Sequence, residues 1–345
     1  MQARHAKPPD RAPVLRTAAF LALLVLLLHI TCGVLRSKNY ASASASLYLE
    51  PRNSVDVLLM GSSNILNAVS PLQLWEEHGI VSNNLAQNGQ VIPVTYYHLQ
   101  EALRWQRPRL VVLNVYKVIQ DSLYDSNASL HYTLDNMRFG LPKLRAVFDL
   151  APEGERAEFL FDIITYHSRW KELTAADFQS VDDLEKGAQA LFDVAPFSDF
   201  QPLPPTETAP PAPSAMRYLE KIVALCREEN VDLLLIAVPF SAPADDEMSR
   251  QQVVNAVADY AEQWGVPYLN LMHHTEEMAF DYTTDMAEAY HPNWRGMEKI
   301  TAWLGNYLAA HYDLPDRRGD PAYEDWDAAL AEYRTYLRET APAEP

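Results

Sequence analysis

Two short segments of the chain carry side chains that could together activate a serine. Met60-Gly61-Ser62-Ser63-Asn64 closes an apolar run near the start, and Glu288-Ala289-Tyr290-His291-Pro292-Asn293 precedes a long helical pattern near the end. A serine hydroxyl is a weak nucleophile until a neighbouring base takes its proton, and that base works best when a carboxylate orients it. Ser63, His291 and Glu288 can fill these three roles.

Each motif alone has a simpler interpretation. A Gly-Ser-Ser sequence is usually a turn, and a Glu-x-x-His pair on a loop is usually solvated or, less often, supplies two metal ligands. Their places in the chain favour a shared site, because one motif follows the first predicted strand and the other precedes the last long predicted helix. In chymotrypsin-like, subtilisin-like and α/β-hydrolase chains, by contrast, the acid and the base come from separate elements.

The segments that must position these residues alternate between strand and helix patterns. Strands are predicted at 55–60, 80–85, 110–115, 232–238 and 267–271, and helices at 71–78, 97–105, 216–229, 250–264 and 295–311. Strands that alternate with helices indicate a parallel α/β sheet. We therefore predict a three-layer α/β/α sandwich with a central parallel sheet.

The regular alternation is lost between residues 120 and 213. In this stretch short groups of aromatic residues alternate with groups of charged residues. It ends in two proline clusters at 202–205 and 210–213. Such prolines indicate a loop or a linker. The predicted organisation is an α/β domain built from 54–119 and 214–312, an insertion or cap at 120–213, and a C-terminal extension at 313–345.

The N-terminal region contains a candidate membrane span. Residues 18–35, AAFLALLVLLLHITCGVL, are almost uniformly apolar and about long enough to cross a hydrocarbon core. The preceding residues are mostly basic where charged, which by the positive-inside rule predicts a cytoplasmic segment at 1–17. A linker at 36–53 would then lead to a domain outside the cell. Cleavage near Ala41-Ser42-Ala43 is the alternative, and it would release a secreted protein.

Composition excludes several functions. The chain of 345 residues has 28 basic and 46 acidic side chains and a formal charge of -18, so nucleic acid is not an expected partner. The only two cysteines, Cys32 and Cys226, cannot build a disulfide framework or a zinc cluster. No glycine-rich phosphate loop occurs. Neither a metal ion nor another cofactor is expected.

The Gly61-Ser62-Ser63 segment, together with the late acid and histidine, resembles the SGNH (GDSL-type) hydrolase superfamily. In that superfamily the nucleophile is the third residue of Gly-Asp-Ser, which corresponds to Ser63, and Ser62 stands where the aspartate usually does. Branches that begin Gly-Ser-Ser include membrane-anchored proteins that act on cell-envelope polymers, such as the proteins that transfer D-alanine to teichoic acids. The resemblance implies an SGNH or flavodoxin-like fold and acyl-serine chemistry.

A closer resemblance is to a membrane-anchored SGNH group of Gram-positive bacteria. It covers most of the chain, through Gly-Ser-Ser, the loop at 84–90, the segment YHSRWK at 166–171, and C-terminal blocks at 281–299 and 314–320. Two positions differ from that group. Asn64 stands where a histidine is common, and Glu288 stands where the group has the aspartate of Asp-x-x-His.

The resemblance also implies roles for other residues. Gly89 and Asn114 correspond to the second-block glycine and the third-block asparagine of the family, and they would donate hydrogen bonds to an oxyanion together with the Ser63 N–H. Asn114 lacks the Gly-x-Asn-Asp context, so an ordinary strand-end residue is the alternative. Further candidates for supporting the site or lining a substrate cleft are Asn64, Asp285, Asn293, His167 and Arg169.

These features predict a membrane-anchored, extracytoplasmic serine esterase or O-acyltransferase that acts on acyl esters of cell-envelope polymers. The expected partners are the membrane, an envelope glycan substrate and, by family analogy, an integral-membrane acyl donor. The alternative is a catalytically inactive SGNH-like scaffold that binds envelope polymer or a membrane partner. A metal-dependent hydrolase built on His291 would require a ligand cluster that excludes the serine.

Overall fold

A computed structural model describes residues 12–36, 42–179, 183–195, 206–241 and 248–342. Most of the predicted cytoplasmic segment, Ala41 of the predicted cleavage site and the proline cluster at 202–205 lie outside the described residues. The predicted domain boundaries at 54, 120, 214 and 313 all lie within them.

Five parallel strands form the centre of the fold, in the spatial order β2-β1-β3-β4-β5. They are β1 Val57–Met60, β2 Ser82–Asn84, β3 Leu110–Asn114, β4 Asp232–Ala237 and β5 Tyr268–Asn270. This is the strand order of flavodoxin-like folds, in which ligands bind beyond the carboxyl ends of the strands at the β1/β3 switch point. A separate antiparallel ribbon pairs β6 Met286–Glu288 with β7 His291–Pro292.

Thirteen helices are described, and apart from α1 they lie around the sheet and on its flanks. They are α1 Ala12–Leu35, α2 Ser42–Leu49, α3 Ser63–Leu66, α4 Pro71–His78, α5 Ile92–Trp105, α6 Asn127–Leu134, α7 Leu141–Leu150, α8 Arg156–Leu160, α9 Asp162–Tyr166, α10 Pro213–Glu229, α11 Met248–Trp264, α12 Trp294–His311 and α13 Glu324–Thr340. Short 3-10 turns lie at Tyr116–Ile119, Glu153–Glu155, His167–Lys171, Ala175–Phe178, Leu271–His274 and Pro321–Tyr323.

The sheet is buried on both sides because neighbouring strand residues face opposite helical layers. Leu58 packs in one apolar cluster with residues of α5, α10 and α11, whereas Leu59 packs in a second cluster with residues of α12. The three-layer α/β/α sandwich predicted from the sequence is therefore confirmed.

The residues at the two ends of α4 explain where this helix begins and ends. Ser70 caps α4, where its side chain accepts a hydrogen bond from the backbone N–H of Gln73, and Pro71 occupies the first helical position. Gly79 ends the helix with φ 67°, a conformation that favours glycine. The predicted bounds of this helix are confirmed, whereas α5 begins at Ile92, five residues before the predicted start.

The helix at 295–311 is α12, but the prediction that it is the last long helix is wrong. The C-terminal extension forms α13, whose Trp326 is buried and lies 5.6 Å from Trp75 of α4, measured between ring centres. Leu330 and Tyr333 continue the same apolar face at helical spacing. The extension therefore completes the core. The predicted linker likewise contains α2, from which Leu47 is buried.

Helix α1 stands apart from this core. It is 24 residues long, and its most apolar 18-residue window has a mean hydropathy of 2.5 and is only 6% buried. These properties are compatible with a membrane anchor or with a signal sequence. The insertion after β3 carries α6 to α9, and its helix α7 packs against α5.

Candidate active site

Ser63 lies just beyond the carboxyl end of β1. The strand ends at Met60, and Ser63 is the first residue of the short helix α3. Gly61 has φ +140°, and a Cβ there would lie 3.1 Å from Asn114 Cβ and from Ile65 Cγ2. Glycine therefore permits both the sharp turn and the close approach of the serine loop to β3. The Ser63 residue itself is half-buried.

The β6–β7 ribbon carries the histidine and the acid. Glu288 and His291 are paired across the ribbon, which replaces the plain loop predicted from the sequence. His291 Nε2 lies 2.7 Å from Ser63 Oγ, and His291 Nδ1 forms a hydrogen bond with Glu288 Oε1. An ionised carboxylate only accepts hydrogen bonds, so the Nδ1 nitrogen carries the proton and the Nε2 nitrogen is left to accept from the serine.

The surroundings keep the acid ionised. Burial opposes ionisation of Glu288, but its hydrogen bond and electrostatic interaction with His291, together with the backbone N–H groups of Tyr290 and Ala289, outweigh it. The pKa of the Glu288 carboxyl therefore lies below its usual range. The Glu288 side chain is 47% exposed and the His291 side chain 23% exposed, so water has some access to the pair.

Two residues, Asn64 and Ser241, hydrogen-bond to the backbone of the segment that carries His291. Asn64 is buried, accepts a hydrogen bond from Ser62 Oγ at 2.7 Å and donates one to the Tyr290 carbonyl at 2.9 Å. Ser241, shortly after β4, donates to the Ala289 carbonyl from its backbone N–H at 2.7 Å and from its hydroxyl at 2.9 Å. Asn64 was among the residues predicted from the sequence, whereas Ser241 was not. Its only sequence signal is its place just beyond a buried strand.

The candidate oxyanion donors lie on the two neighbouring loops. An isolated parallel β-bridge pairs Gln87 with Ser62, so the loop that carries Gly89 runs beside the loop that carries Ser63. Gly89 has φ +69°. Asn114, at the end of β3, is buried against Gly61. Its Oδ1 accepts from the Tyr116 N–H at 2.8 Å, whereas its buried Nδ2 has no hydrogen-bond partner. An unpartnered buried donor is unusual and suits a site that a ligand atom completes.

Asp285 and Asn293 stabilise the ribbon from behind. Asp285 is fully buried and accepts hydrogen bonds from the Asp281 N–H, the Thr284 hydroxyl and, at 2.6 Å, the Lys299 ammonium. Asn293 caps α12 with its Oδ1 and donates from Nδ2 to the carbonyls of Thr284 and Met286. Glu288 is thus the carboxylate that contacts His291, and Asp285 belongs to a structural ion pair.

His167 and Arg169 make their hydrogen bonds elsewhere. His167 is exposed and its Nδ1 pairs with the Ile164 carbonyl at 2.9 Å. Arg169 donates to the carbonyls of Leu35 and Arg36 and to Asp177, so its guanidinium is held at the C-terminal end of α1. Neither residue forms a hydrogen bond with the Ser63 site, because α9 and the following turn pack on α1 instead.

A cavity of about 500 Å³ lies beside the site. The Tyr116 ring, in its wall, is 6.3 Å from the ring of Tyr290, the residue before His291. Burial lowers the pKa of the Lys117 ammonium, an effect that Asp125 partly offsets. The lining mixes polar and apolar surface and consists of Tyr116, Lys117, Ile119, Gln120, Asp125, Arg250 and Val253. Among the described residues, no group of three or more His, Cys, Asp or Glu side chains is placed to hold a metal ion.

Known proteins give little independent guidance. No protein-family model matches the chain, and neither does any curated protein. A proposed acylhydrolase from Bacteroides fragilis NCTC 9343 is 12% identical with a TM-score of 0.37, over 80% of this chain and 98% of that one. A GDSL-like lipase from Bacteroides thetaiotaomicron VPI-5482 is 10% identical with a TM-score of 0.40, over 80% of this chain and 99% of that one. These values are too low to assign a family or an activity to the chain.

Proposed function

We propose that this protein is a membrane-anchored, extracytoplasmic serine esterase or O-acyltransferase of the SGNH type. The observation that carries the proposal is the continuous hydrogen-bonded chain from Ser63 through His291 to Glu288. The order and distances of these groups suit transfer of the serine proton to the imidazole.

In the first half-reaction, His291 Nε2 accepts the Ser63 proton while Oγ attacks the carbonyl carbon of an ester. The negative charge that develops on the carbonyl oxygen is stabilised by the Ser63 N–H, the Gly89 N–H and the Asn114 Nδ2 group. Collapse of the tetrahedral intermediate breaks the ester C–O bond. His291 returns the proton to the leaving alcohol, and the acyl group stays on the serine.

In the second half-reaction, water or an acceptor hydroxyl attacks the acyl-serine. His291 removes a proton from the attacking oxygen and then returns it to Ser63 Oγ as the acyl group leaves. Glu288 stays ionised throughout and stabilises the imidazolium. Hydrolysis and acyl transfer share every residue and differ only in the acceptor.

A membrane location and a polymeric substrate are supported by features outside the triad. Helix α1 is apolar and almost fully exposed, as an anchor in lipid would be. The cavity beside the site carries Lys117, Asp125 and Arg250 in its wall, and such charged groups suit a hydroxylated substrate, such as an envelope glycan, better than a long hydrocarbon chain. Tethering would restrict the enzyme to acyl esters at the membrane surface, where an integral-membrane protein could supply acyl groups.

A fluorophosphonate probe tests the central claim. We expect the full-length protein in detergent to be labelled at Ser63, and both Ser63→Ala and His291→Ala to abolish labelling. Ser54→Ala is the matched control, because Ser54 lies before the amino end of β1, at the opposite edge of the sheet. Hydrolysis of p-nitrophenyl acetate, with and without added glycan acceptors, would then separate esterase from transferase activity.

Absence of labelling would have a definite meaning. If the folded wild-type protein neither reacts with the probe nor hydrolyses simple esters, the esterase proposal is wrong and the inactive scaffold is favoured. Labelling that survives Ser63→Ala would place the reactive group on another residue and would refute the assigned triad.

A further inference from the structure

Most of the exposed large apolar side chains outside α1 belong to the insertion. Among the described residues there are nine such side chains, and seven of them lie between residues 139 and 178. Four of these side chains lie on or directly beside α9 and the two 3-10 turns that pack on α1, namely Phe161, Ile164, Trp170 and Phe178, with exposed fractions of 45% to 68%. We call these four side chains the apolar rim.

The insertion holds the C-terminal end of α1. Arg169 Nη1 donates to the carbonyls of Leu35 and Arg36 at 2.7 and 2.8 Å, and its Nη2 donates to Asp177 at 2.8 Å. Arg36 in turn forms an ion pair with Asp162 of α9. The last carbonyls of a helix lack partners within the helix and favour a nearby positive charge. The YHSRWK segment, which the proposed chemistry does not use, therefore serves to dock α1.

The exposure of residues along α1 shows where the helix meets the insertion. Residues 13–31 are exposed without a break, whereas Leu35 is buried under the insertion. The apolar run at 18–35, which ends at this docked leucine, is about 27 Å long at 1.5 Å per residue, close to the thickness of a hydrocarbon core. If lipid covers that stretch, the docked end of α1 and the residues around it lie where hydrocarbon meets headgroups. Tryptophan and other amphipathic groups are enriched at this level.

We propose that the apolar rim inserts into the outer face of the same bilayer that α1 spans. The lipid surface is the expected occupant because the rim lies on and beside the elements that pack on the end of α1, a helix whose apolar run matches the thickness of a membrane core. Two attachments would fix the orientation of the α/β domain on the membrane. This inference rests on the proposed anchoring of α1 but not on the proposed esterase chemistry.

Site-directed fluorescence tests the proposal in the full-length protein reconstituted into phosphatidylcholine vesicles. An environment-sensitive label is attached at Phe161→Cys, Trp170→Cys or Phe178→Cys in a Cys32→Ser background. Cys226 can stay, because it is buried and burial raises the pKa of its thiol to about 12, so it does not react at neutral pH. We expect a blue shift at all three sites and roughly twofold stronger quenching by nitroxide lipids than at a control, since interfacial groups sit about 5–10 Å into the headgroup boundary.

Val194→Cys is the matched control, because Val194 is also an exposed apolar residue but lies outside the rim. Leu24→Cys in the middle of α1 reports separately whether α1 is in the bilayer. If Leu24 is quenched by lipid while the rim labels behave like Val194, the rim proposal is wrong and the anchor stands. If Leu24 is not quenched, both fail. Rim labels shielded from water yet untouched by lipid quenchers would mean that protein covers the rim, which also overturns the proposal. Fluorophosphonate labelling of the same samples reports the esterase chemistry independently.

Discussion

The assignment of Glu288, rather than Asp285, as the triad acid predicts opposite effects for two isosteric substitutions. Glu288→Gln should lower kcat while leaving stability nearly unchanged. Asp285→Asn should lower stability while leaving the kcat of the folded protein nearly unchanged. The reason is that the Glu288 side chain is half exposed and contacts His291, whereas Asp285 is fully buried and contacts Lys299.

The size of each effect follows from these contacts. A glutamine at 288 removes the negative charge that stabilises the imidazolium. Its NH2 group can also donate to His291 Nδ1, which favours the wrong tautomer of the imidazole. In a buried triad the corresponding substitution lowers kcat about 10⁴-fold. Because water reaches the Glu288 side chain, we expect a smaller loss of about 10²–10³-fold. Removing one partner of a buried ion pair costs about 3–5 kcal/mol. Lys299 is 34% exposed and can regain water, so about 2–3 kcal/mol is expected for Asp285→Asn.

Two measurements on each purified variant separate these effects. The kcat for p-nitrophenyl acetate and the rate of fluorophosphonate labelling report the site, and the midpoint of urea unfolding reports stability. Glu288→Asp is the conservative control. It keeps the charge on a shorter side chain and should recover part of the activity lost in Glu288→Gln.

The reverse pattern would refute the reasoning. If Asp285→Asn removed activity at unchanged stability, the acid of the site would be Asp285 and the contact between Glu288 and His291 would be incidental. Full activity in Glu288→Gln would mean that His291 needs no carboxylate or that Ser63 is not the nucleophile.

Two further predictions concern residues beside the triad, and a third concerns His98, a buried histidine of α5. Asn64→Ala removes the bonds to Ser62 and Tyr290 and should lower kcat about 10–100-fold and the free energy of unfolding by about 2 kcal/mol, as read from steady-state kinetics and denaturation. Asn114→Ala should lower kcat about 10²-fold or more but destabilise by only about 1 kcal/mol, because its Nδ2 has no partner to lose; an equal loss of kcat and stability would contradict the oxyanion role. Burial lowers the pKa of His98 from its usual 6.5 to about 4, so the folded state binds the proton less tightly than the unfolded chain. The stability that this confers is complete above pH 6.5, and about 3 kcal/mol is lost as the pH falls to about 4. His98→Gln should flatten this pH dependence in urea titrations, and an unchanged slope would exclude His98 as its source.

The sequence determined the fold class because its signals are local. Buried strands read as short apolar runs, and the Ser70-Pro71 start and Gly79 end of α4 depend only on neighbouring residues. Because the serine motif directly follows the first strand, sequence alone also placed Ser63 at the carboxyl edge of the sheet. The acid and histidine could be paired with it as a hypothesis, since they are three residues apart.

The tertiary structure decided which groups meet across long sequence separations. Asn64 and Tyr290 are 226 positions apart, and nothing near either residue encodes their hydrogen bond. For the same reason, the hydrogen bonds by which Ser241 holds the ribbon and Arg169 docks α1 have no signal in the sequence around them. An amphipathic pattern specifies an apolar face but not the surface that covers it. The C-terminal extension could therefore be identified as part of the core only after α13 was seen packed on Trp75.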